Sequence, residues 1–377
     1  MRTQAGARAV RAGARAVPRS GAREEARAAL LAWFAEHARD LPWRRTKDPY
    51  AIWISEVMLQ QTRVETVLRY YERFLERFAT VRALAEASEE DVLARWSGLG
   101  YYRRARLLHA GVKAVLAEHG GVVPRDAAAR RALPGVGRYT AGAIGSIAFG
   151  LREPIVDGNV ARVLSRLGEI DHAIGTPKSE ATLWAEAAAW ADHPEPGAVN
   201  QALMELGATV CTPSSPRCAE CPIRPSCGAN RSGRVEALPV PRVKKAPRAV
   251  AVVALAARDR SGRVLLVKRE RDAAASSIDG LFEGALFEGA LFEGLWSVPL
   301  TEGEGRGAAR ALADAVGASL ATTEPRALVH VLTHRRLEVR VFEARLTRAP
   351  RGARLVAPDA LESLGVATLT KKVLGLS

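Results

Sequence analysis

After Tyr50 the apolar positions Val57, Val64, Leu68, Tyr71 and Leu75 recur at steps of seven, four, three and four, which lays one apolar stripe along a helix. Alternating runs are few between Glu24 and about Leu206, so this stretch is expected to be all-α. The texture changes near Arg248. Ala249 to Ala257 and Val264 to Lys268 are short runs rich in Val and Leu, and Asp259-Arg260-Ser261-Gly262 between them reads as a hairpin turn. Leu337-Glu338-Val339-Arg340-Val341-Phe342 alternates with a period of two, and Gly307 to Val316 is a short helix candidate. Arg231 to Arg248 contains Pro239, Pro241 and Pro247 and reads as a linker. The pattern therefore predicts more than one domain: an all-α domain over 24–232, a linker over 233–248 and an α+β domain over 249–377.

Within the second domain, Leu281 to Gly294 spells LFEG three times with single alanines between. Five residues are too few for a solenoid unit, so the segment reads as a locally duplicated surface loop with no function attached.

Length agrees with two domains, since 377 residues exceed what one core usually organises. Composition is ordinary for a globular chain, 48% apolar and 25% charged, which argues against a wholly disordered protein. No apolar run approaches the roughly 18 residues of a membrane span. Charge adds more: 55 Lys and Arg against 41 Asp and Glu leave a net +14, which points to a polyanionic partner. Residues 1–23 hold six arginines and no acid, and are expected to form a disordered basic arm. An organelle transit peptide is the lesser reading of that arm, because Ser is nearly absent from it.

All four cysteines, Cys211, Cys218, Cys221 and Cys227, fall within one loop as C-x6-C-x2-C-x5-C. Clustering favours a metal site in a reducing compartment over a disulfide scaffold. Four thiolates suit a tetrahedral zinc or a cubane iron–sulfur cluster, and the spacing leaves both open. Eight basic residues against two acids from Cys211 to Arg248 give this region positive charge to offer DNA.

Leu133-Pro134-Gly135-Val136-Gly137-Arg138-Tyr139 carries two glycines around one apolar residue, which permits a tight turn between helices. The helix that follows would present free N–H groups to a phosphate and grip a DNA backbone without reading sequence, although an ordinary helix–helix turn has the same ingredients. Gly98-Leu99-Gly100-Tyr101-Tyr102-Arg103-Arg104 sets two aromatics beside two arginines, a combination suited to stacking on bases and also to surface packing. Two carboxylates stand out. Glu56, within Ile54-Ser55-Glu56-Val57-Met58-Leu59, has apolar neighbours that would keep it protonated as a general acid, unless it is a surface glutamate. Asp157 precedes a helix expected over Asn159 to Leu167, where an isolated Asp is also an ordinary N-cap.

Together with Leu41-Pro42-Trp43-Arg44, Ser55 to Thr62 and Val156-Asp157-Gly158-Asn159-Val160, these motifs make the chain resemble the helix-hairpin-helix DNA glycosylase superfamily and, within it, the MutY-type adenine DNA glycosylases. The resemblance covers nearly everything from Glu24 onward. It implies an all-α glycosylase domain with a four-Cys iron–sulfur loop and a Nudix-like domain after it. It also implies removal of adenine mispaired with 8-oxoguanine or guanine in double-stranded DNA. Glu56 would protonate N7 of the extruded adenine, Asp157 would stabilise or transiently attack the cationic sugar, and Tyr139 and Asn159 would hold that pair. Gln61 and Tyr101 would wedge into the vacated space, Arg44, Gly135, Val136 and Gly137 would meet DNA, and the four cysteines would hold one [4Fe–4S] cluster. The protein would act as a monomer, away from membranes, in a cytoplasmic, nucleoid-associated setting.

The second domain resembles a Nudix module. Arg310-Ala311-Leu312-Ala313-Asp314-Ala315-Val316-Gly317 keeps the Arg and Gly of the R-E-x-x-E-E-x-G helix but has one acid where three would bind magnesium, so nucleotide hydrolysis is not expected. Where the family reads Phe-Ser-His to recognise 8-oxoguanine, this chain has Leu332-Thr333-His334, with Thr333 and His334 as the expected contacts. Three rivals remain in view. An endonuclease III type would need a Schiff-base lysine where Tyr139 stands. A thymine-mismatch glycosylase would not be expected to carry the second domain, and a non-catalytic redox-sensing DNA-binding protein would not need Glu56 and Asp157.

Overall fold

The computed structural model describes residues 20–242, 246–269, 291–332 and 334–376. Thr333, residues 1–19 of the basic arm and residues 281–290 of the LFEG segment therefore lie outside the described residues. The helices are α1 (Ser20–His37), α2 (Pro49–Leu59), α3 (Val64–Arg77), α4 (Val81–Glu86), α5 (Glu89–Trp96), α6 (Arg103–His119), α7 (Ala127–Ala132), α8 (Arg138–Ala143), α9 (Gly158–Leu167), α10 (Pro177–Ala191), α11 (Pro196–Thr209) and α12 (Gly228–Arg231). Strands follow: β1 (Arg248–Arg258), β2 (Val264–Lys268), β3 (Trp296–Ser297) and β4 (Leu300–Glu302). After α13 (Gly305–Ala315) come β5 (Ala318–Leu320), β6 (Arg326–Val331), β7 (Arg335–Leu346), β8 (Arg354–Val356) and α14 (Thr368–Leu374). Among the described residues no helix is long and apolar enough to cross a membrane.

Local chemistry explains many of these bounds. Thr80, Ser88 and Thr176 each cap a helix by accepting a backbone N–H through the side chain, and Pro177 stands at the first position of α10. Gly120, at φ +63°, closes α6 in the left-handed region. The expected single stripe is corrected. Val57 lies in the last turn of α2, a turn over Gln60–Arg63 intervenes, and α3 buries Val67, Tyr71 and Phe74 while Leu68 is exposed. The turn breaks the 3.6-residue phase, so apolar positions on either side do not share one face. The end of the basic arm expected over 1–23 is corrected. Residues 20–23 belong to α1, and Arg23 pairs with Glu186 at 3.3 Å.

The chain divides into two compact units that do not follow the sequence order. One runs to Trp53, takes in Arg125–Ala132 and continues from Val136 through the cysteine loop. Its core joins Leu30, Ile52, Leu164, Leu183, Trp190, Val199, Leu203 and Leu206. The other joins Ile54–Pro124 and Leu133–Gly135 to the strand-rich remainder from Lys244, so the helical domain expected over 24–232 is shared between them.

Within the second unit, a mixed sheet has the order β3-β2-β1-β7-β5, with β4 on β1, β6 on β7 and β8 on β2. The expected hairpin is present: β1 and β2 are antiparallel with Arg258 opposite Val264, and the Asp259 side chain accepts from the N–H groups of Ser261 and Arg263. β1 and β7 run parallel from Arg248–Arg335 to Arg258–Arg345. Alternation along β7 buries Leu337, Val339 and Val341 on one face, while Phe342 joins Leu255, Leu265, Leu312 and Val316 on the other. The same unit ties its helices to its strands. Tyr102 Oη donates to Val366 O at 2.7 Å, Trp296 Nε1 and Arg354 both reach Glu90, and a Cβ on Gly365 would stand 2.9 Å from Leu93 Cβ.

Candidate active site and DNA-facing elements

Asp157 stands at the N-cap of α9, where one carboxylate oxygen accepts from Val160 N at 2.7 Å and the other from Asn159 Nδ2 at 2.9 Å. Burial pushes its pKa up, and this outweighs the opposing pull of those hydrogen bonds and of Arg162. Arg162 lies one turn further along α9. It donates to Asn159 Oδ1 at 2.8 Å, Gly207 O at 2.7 Å and Cys211 O at 2.7 Å, so one guanidinium links the cysteine loop to the group that orients Asp157. Gly207 is required by the same closeness: a Cβ there would stand 2.7 Å from Asn159 Cβ. The sequence reading missed Arg162, although its spacing of three from Asn159 on a helix was the available signal.

In the other unit, Glu56 lies inside α2 with 4% of its surface exposed, flanked by buried Ile54, Val57 and Met58. A surface glutamate is thereby excluded. Just beyond α2 and just before α6, Gln61 and Tyr101 adopt φ of 58° and 49° and are both exposed. They line a cavity of about 700 Å³ together with Gln60, His330, Leu332 and His334. His334 is exposed at its mouth.

The turn between α7 and α8 has the expected form, with a difference between its glycines. Gly135 takes φ +77°, and a Cβ there would come within 2.7 Å of Leu107 Cβ. Gly137 is extended, at φ −80°, and caps α8 with open space where its Cβ would be. Val136 is buried beneath the turn and Tyr139 is half-buried, its hydroxyl 3.4 Å from Met204 Sδ. Arg138 lies over the Trp184 ring at 3.9 Å.

Cys211, Cys218, Cys221 and Cys227 all line one cavity, with Arg166 Nη1 3.3 Å from Cys211 Sγ. Burial and the neighbouring thiols push Cys221 up to about 12 and raise Cys227 as well. Among the described residues no three His, Cys, Asp or Glu converge as a single metal ion requires. Four thiols around one cavity supply the soft donor set that either a zinc ion or an iron–sulfur cluster would take.

Arg44, expected at DNA, is held by partners within the protein. Its guanidinium donates to Glu205 Oε2 at 2.7 Å and Arg39 O at 3.0 Å and lies over Phe34. Glu205 itself, unnoticed in the sequence, is 1% exposed and also accepts two bonds from the Arg39 guanidinium at 2.8 Å. Along α13, Arg310 and Asp314 face solvent, and Gly317 takes φ +66°, where an added Cβ would stand 2.5 Å from Arg348 O.

Residues 54–188 match the HhH-GPD superfamily of base excision DNA repair proteins, and residues 288–376 match the NUDIX domain. The chain is similar to the human adenine DNA glycosylase, 49% identical over 219 residues that cover 56% of this chain and 40% of that protein. An adenine DNA glycosylase of Buchnera aphidicola is 36% identical over 217 residues, covering 57% and 62%. The chain thus spans less than two thirds of the length of these relatives. Among solved structures, a thermostable thymine-DNA glycosylase superposes with a TM-score of 0.50 and 29% identity, over 56% of this chain and 98% of that one.

Proposed function

We propose that this chain, in which an HhH-GPD base excision segment is followed by a NUDIX domain, hydrolyses the N-glycosidic bond of adenine mispaired with guanine or 8-oxoguanine and leaves an abasic site. The observation that carries this reading is the Asp157 carboxylate, buried at the head of α9 and held by Asn159 and Val160 N. Glu56, buried on α2, gives its proton to N7 of the extruded adenine. The C1′–N9 bond then breaks with its electron pair on the base, which departs neutral. Positive charge left on the sugar is met by Asp157, until water adds at C1′ and releases a proton. Tyr139 replaces the lysine of lyase-type relatives, and a phenol forms no imine, so the strand stays intact.

Gln61 and Tyr101 fill the gap left by the extruded base, and the cavity they share with Leu332 and His334 receives the opposite base. Thr333 is assigned to the same contact. Gly135, Val136 and Gly137 set the turn whose open side meets a phosphate. Cys211, Cys218, Cys221 and Cys227 would hold a [4Fe–4S] cluster, which braces their loop and supplies no step of hydrolysis. Adenine is chosen over thymine as the target because the human adenine DNA glycosylase is 49% identical over the part of this chain it matches, against 29% for the thymine-DNA glycosylase.

Asp157→Asn and Glu56→Gln are each expected to keep mismatch binding and lose excision by about 1,000-fold or more. Single-turnover assays on duplexes with adenine opposite guanine and opposite 8-oxoguanine, with alkali to reveal abasic sites, make the measurement. Unchanged excision by either variant would overturn the role given to that residue. Release of thymine from T:G pairs in place of adenine would overturn the choice of substrate.

A further inference from the structure

Gln61 and Tyr101 share an unusual property. Neither is glycine, yet both hold a left-handed backbone, at φ 58° and 49°. Each such residue costs about 1 kcal/mol or more, so an unbraced loop would relax away from that conformation. The two lie on separate turns, one after α2 and one before α6.

A single side chain spans both turns. Arg104, 8% exposed, donates from Nη1 to Val57 O at 2.8 Å, to Met58 O at 2.9 Å and to Gln60 O. Its Nη2 reaches Thr62 Oγ1 at 2.9 Å, Gly100 O at 3.3 Å and Leu99 O at 3.4 Å. The guanidinium also stacks near Trp96 and Tyr101, 5.5 and 5.3 Å from the ring centres. These acceptors bracket Gln61 on both sides and immediately precede Tyr101. Burial lowers the Arg104 pKa to about 10, which still leaves it charged at neutral pH. A lysine would keep the charge but offers three donors at one point instead of a planar fork.

We propose that Arg104 is a positioning residue, which presets Gln61 and Tyr101 in their left-handed conformations before DNA arrives so that both enter the base stack without further rearrangement. This rests on the reading of Gln61 and Tyr101 as the residues that enter the stack. Ordering the two turns in advance removes an entropic cost from base extrusion, itself a few kcal/mol uphill.

The test compares Arg104→Lys and the milder Thr62→Val with the wild type, all as full-length holoprotein. The duplex holds adenine opposite guanine with 2-aminopurine beside the adenine, whose fluorescence reports unstacking. Arg104→Lys is expected to bind the mismatch but to lose the fluorescence rise and to slow excision on the order of tenfold or more. Thr62→Val should show the same effects in smaller measure. On a duplex whose flanking pairs are mismatched, so that the stack is already open, Arg104→Lys should recover to within about twofold of wild type. An equal loss on both duplexes, or an undiminished fluorescence rise in both variants, would overturn the proposal. Gln61→Ala and Tyr101→Ala separate the two ideas. If they leave the fluorescence unchanged, the stack-entry reading fails and the proposal falls with it. If they lower it while Arg104→Lys does not, the proposal alone fails.

Discussion

Glu205 sits between the guanidinium groups of Arg39 and Arg44 with its side chain 1% exposed. Burial by itself would raise its pKa, but the hydrogen bonds from the two arginines outweigh that and hold it at about 2. The sign of the consequence follows from linkage. A carboxyl whose folded pKa lies below its unfolded value of 4.5 contributes stability that is present above pH 4.5 and lost as pH falls through about 2. The shift corresponds to roughly 3 kcal/mol at most. Melting temperature is therefore expected to fall across that acid window in the wild type, and Glu205→Gln should be less stable at pH 7 and flatter below pH 4.5. Parallel pH profiles for the two proteins would show that Glu205 carries no such coupling. Arg44 shows what the sequence leaves open at this scale. An arginine beside an aromatic satisfies an ion pair as readily as a phosphate, and only the fold brings Glu205 to it.

Among the elements, the turn between α7 and α8 separates a glycine needed for folding from one suited to contact. Gly135→Ala meets both a left-handed φ and the Leu107 side chain, and is expected to destabilise by about 1–3 kcal/mol. Gly137→Ala meets neither, so its melting temperature should stay within about 2 °C of wild type while its affinity for DNA falls. Calorimetry beside a binding titration checks both, and an undiminished affinity for Gly137→Ala would remove the turn from the DNA-contacting surface. Element legibility was uneven. The β1–β2 hairpin and the start of α9 were readable because turn chemistry and capping are local. The stripe from Val57 to Leu75 was not, because the spacing happened to continue across the break at Gln60–Arg63.

For the whole molecule, the sequence reading treated the strand-rich part as separable at about residue 248. Compact grouping instead places Ile54–Pro124 with that part, through Tyr102 on Val366, Leu93 beside Gly365 and Glu90 with Trp296 and Arg354. Deletion of everything after residue 247 would bare Leu93 and Tyr102, now 2% and 9% exposed. The truncated chain is expected to melt more than about 5 °C lower and to bind a hydrophobic dye more strongly. An unchanged melting temperature would mean that these contacts contribute little.

What the sequence determined by itself was whatever depends on neighbours along the chain: the switch from helical to alternating texture, the capping Asp157, the glycine turn at 135–137 and the clustering of four cysteines. The apolar flanks of Glu56 likewise announced its burial. Only the tertiary structure decided which distant groups those residues meet. Arg162 joins Asn159 to Cys211, forty-nine positions beyond Arg162 itself, Arg104 couples the turn at Gln60 to the one at Gly100, and Glu205 meets Arg44. For Arg162 and Arg104 the physical reason is the same: a guanidinium held inside the fold must satisfy several donors at once, its acceptors are mostly backbone carbonyls, and every residue carries a carbonyl, so residue identity does not show which ones the fold will bring within reach. For Arg44 the acceptor is a carboxylate, and the chain holds many carboxylates of which only the fold selects one.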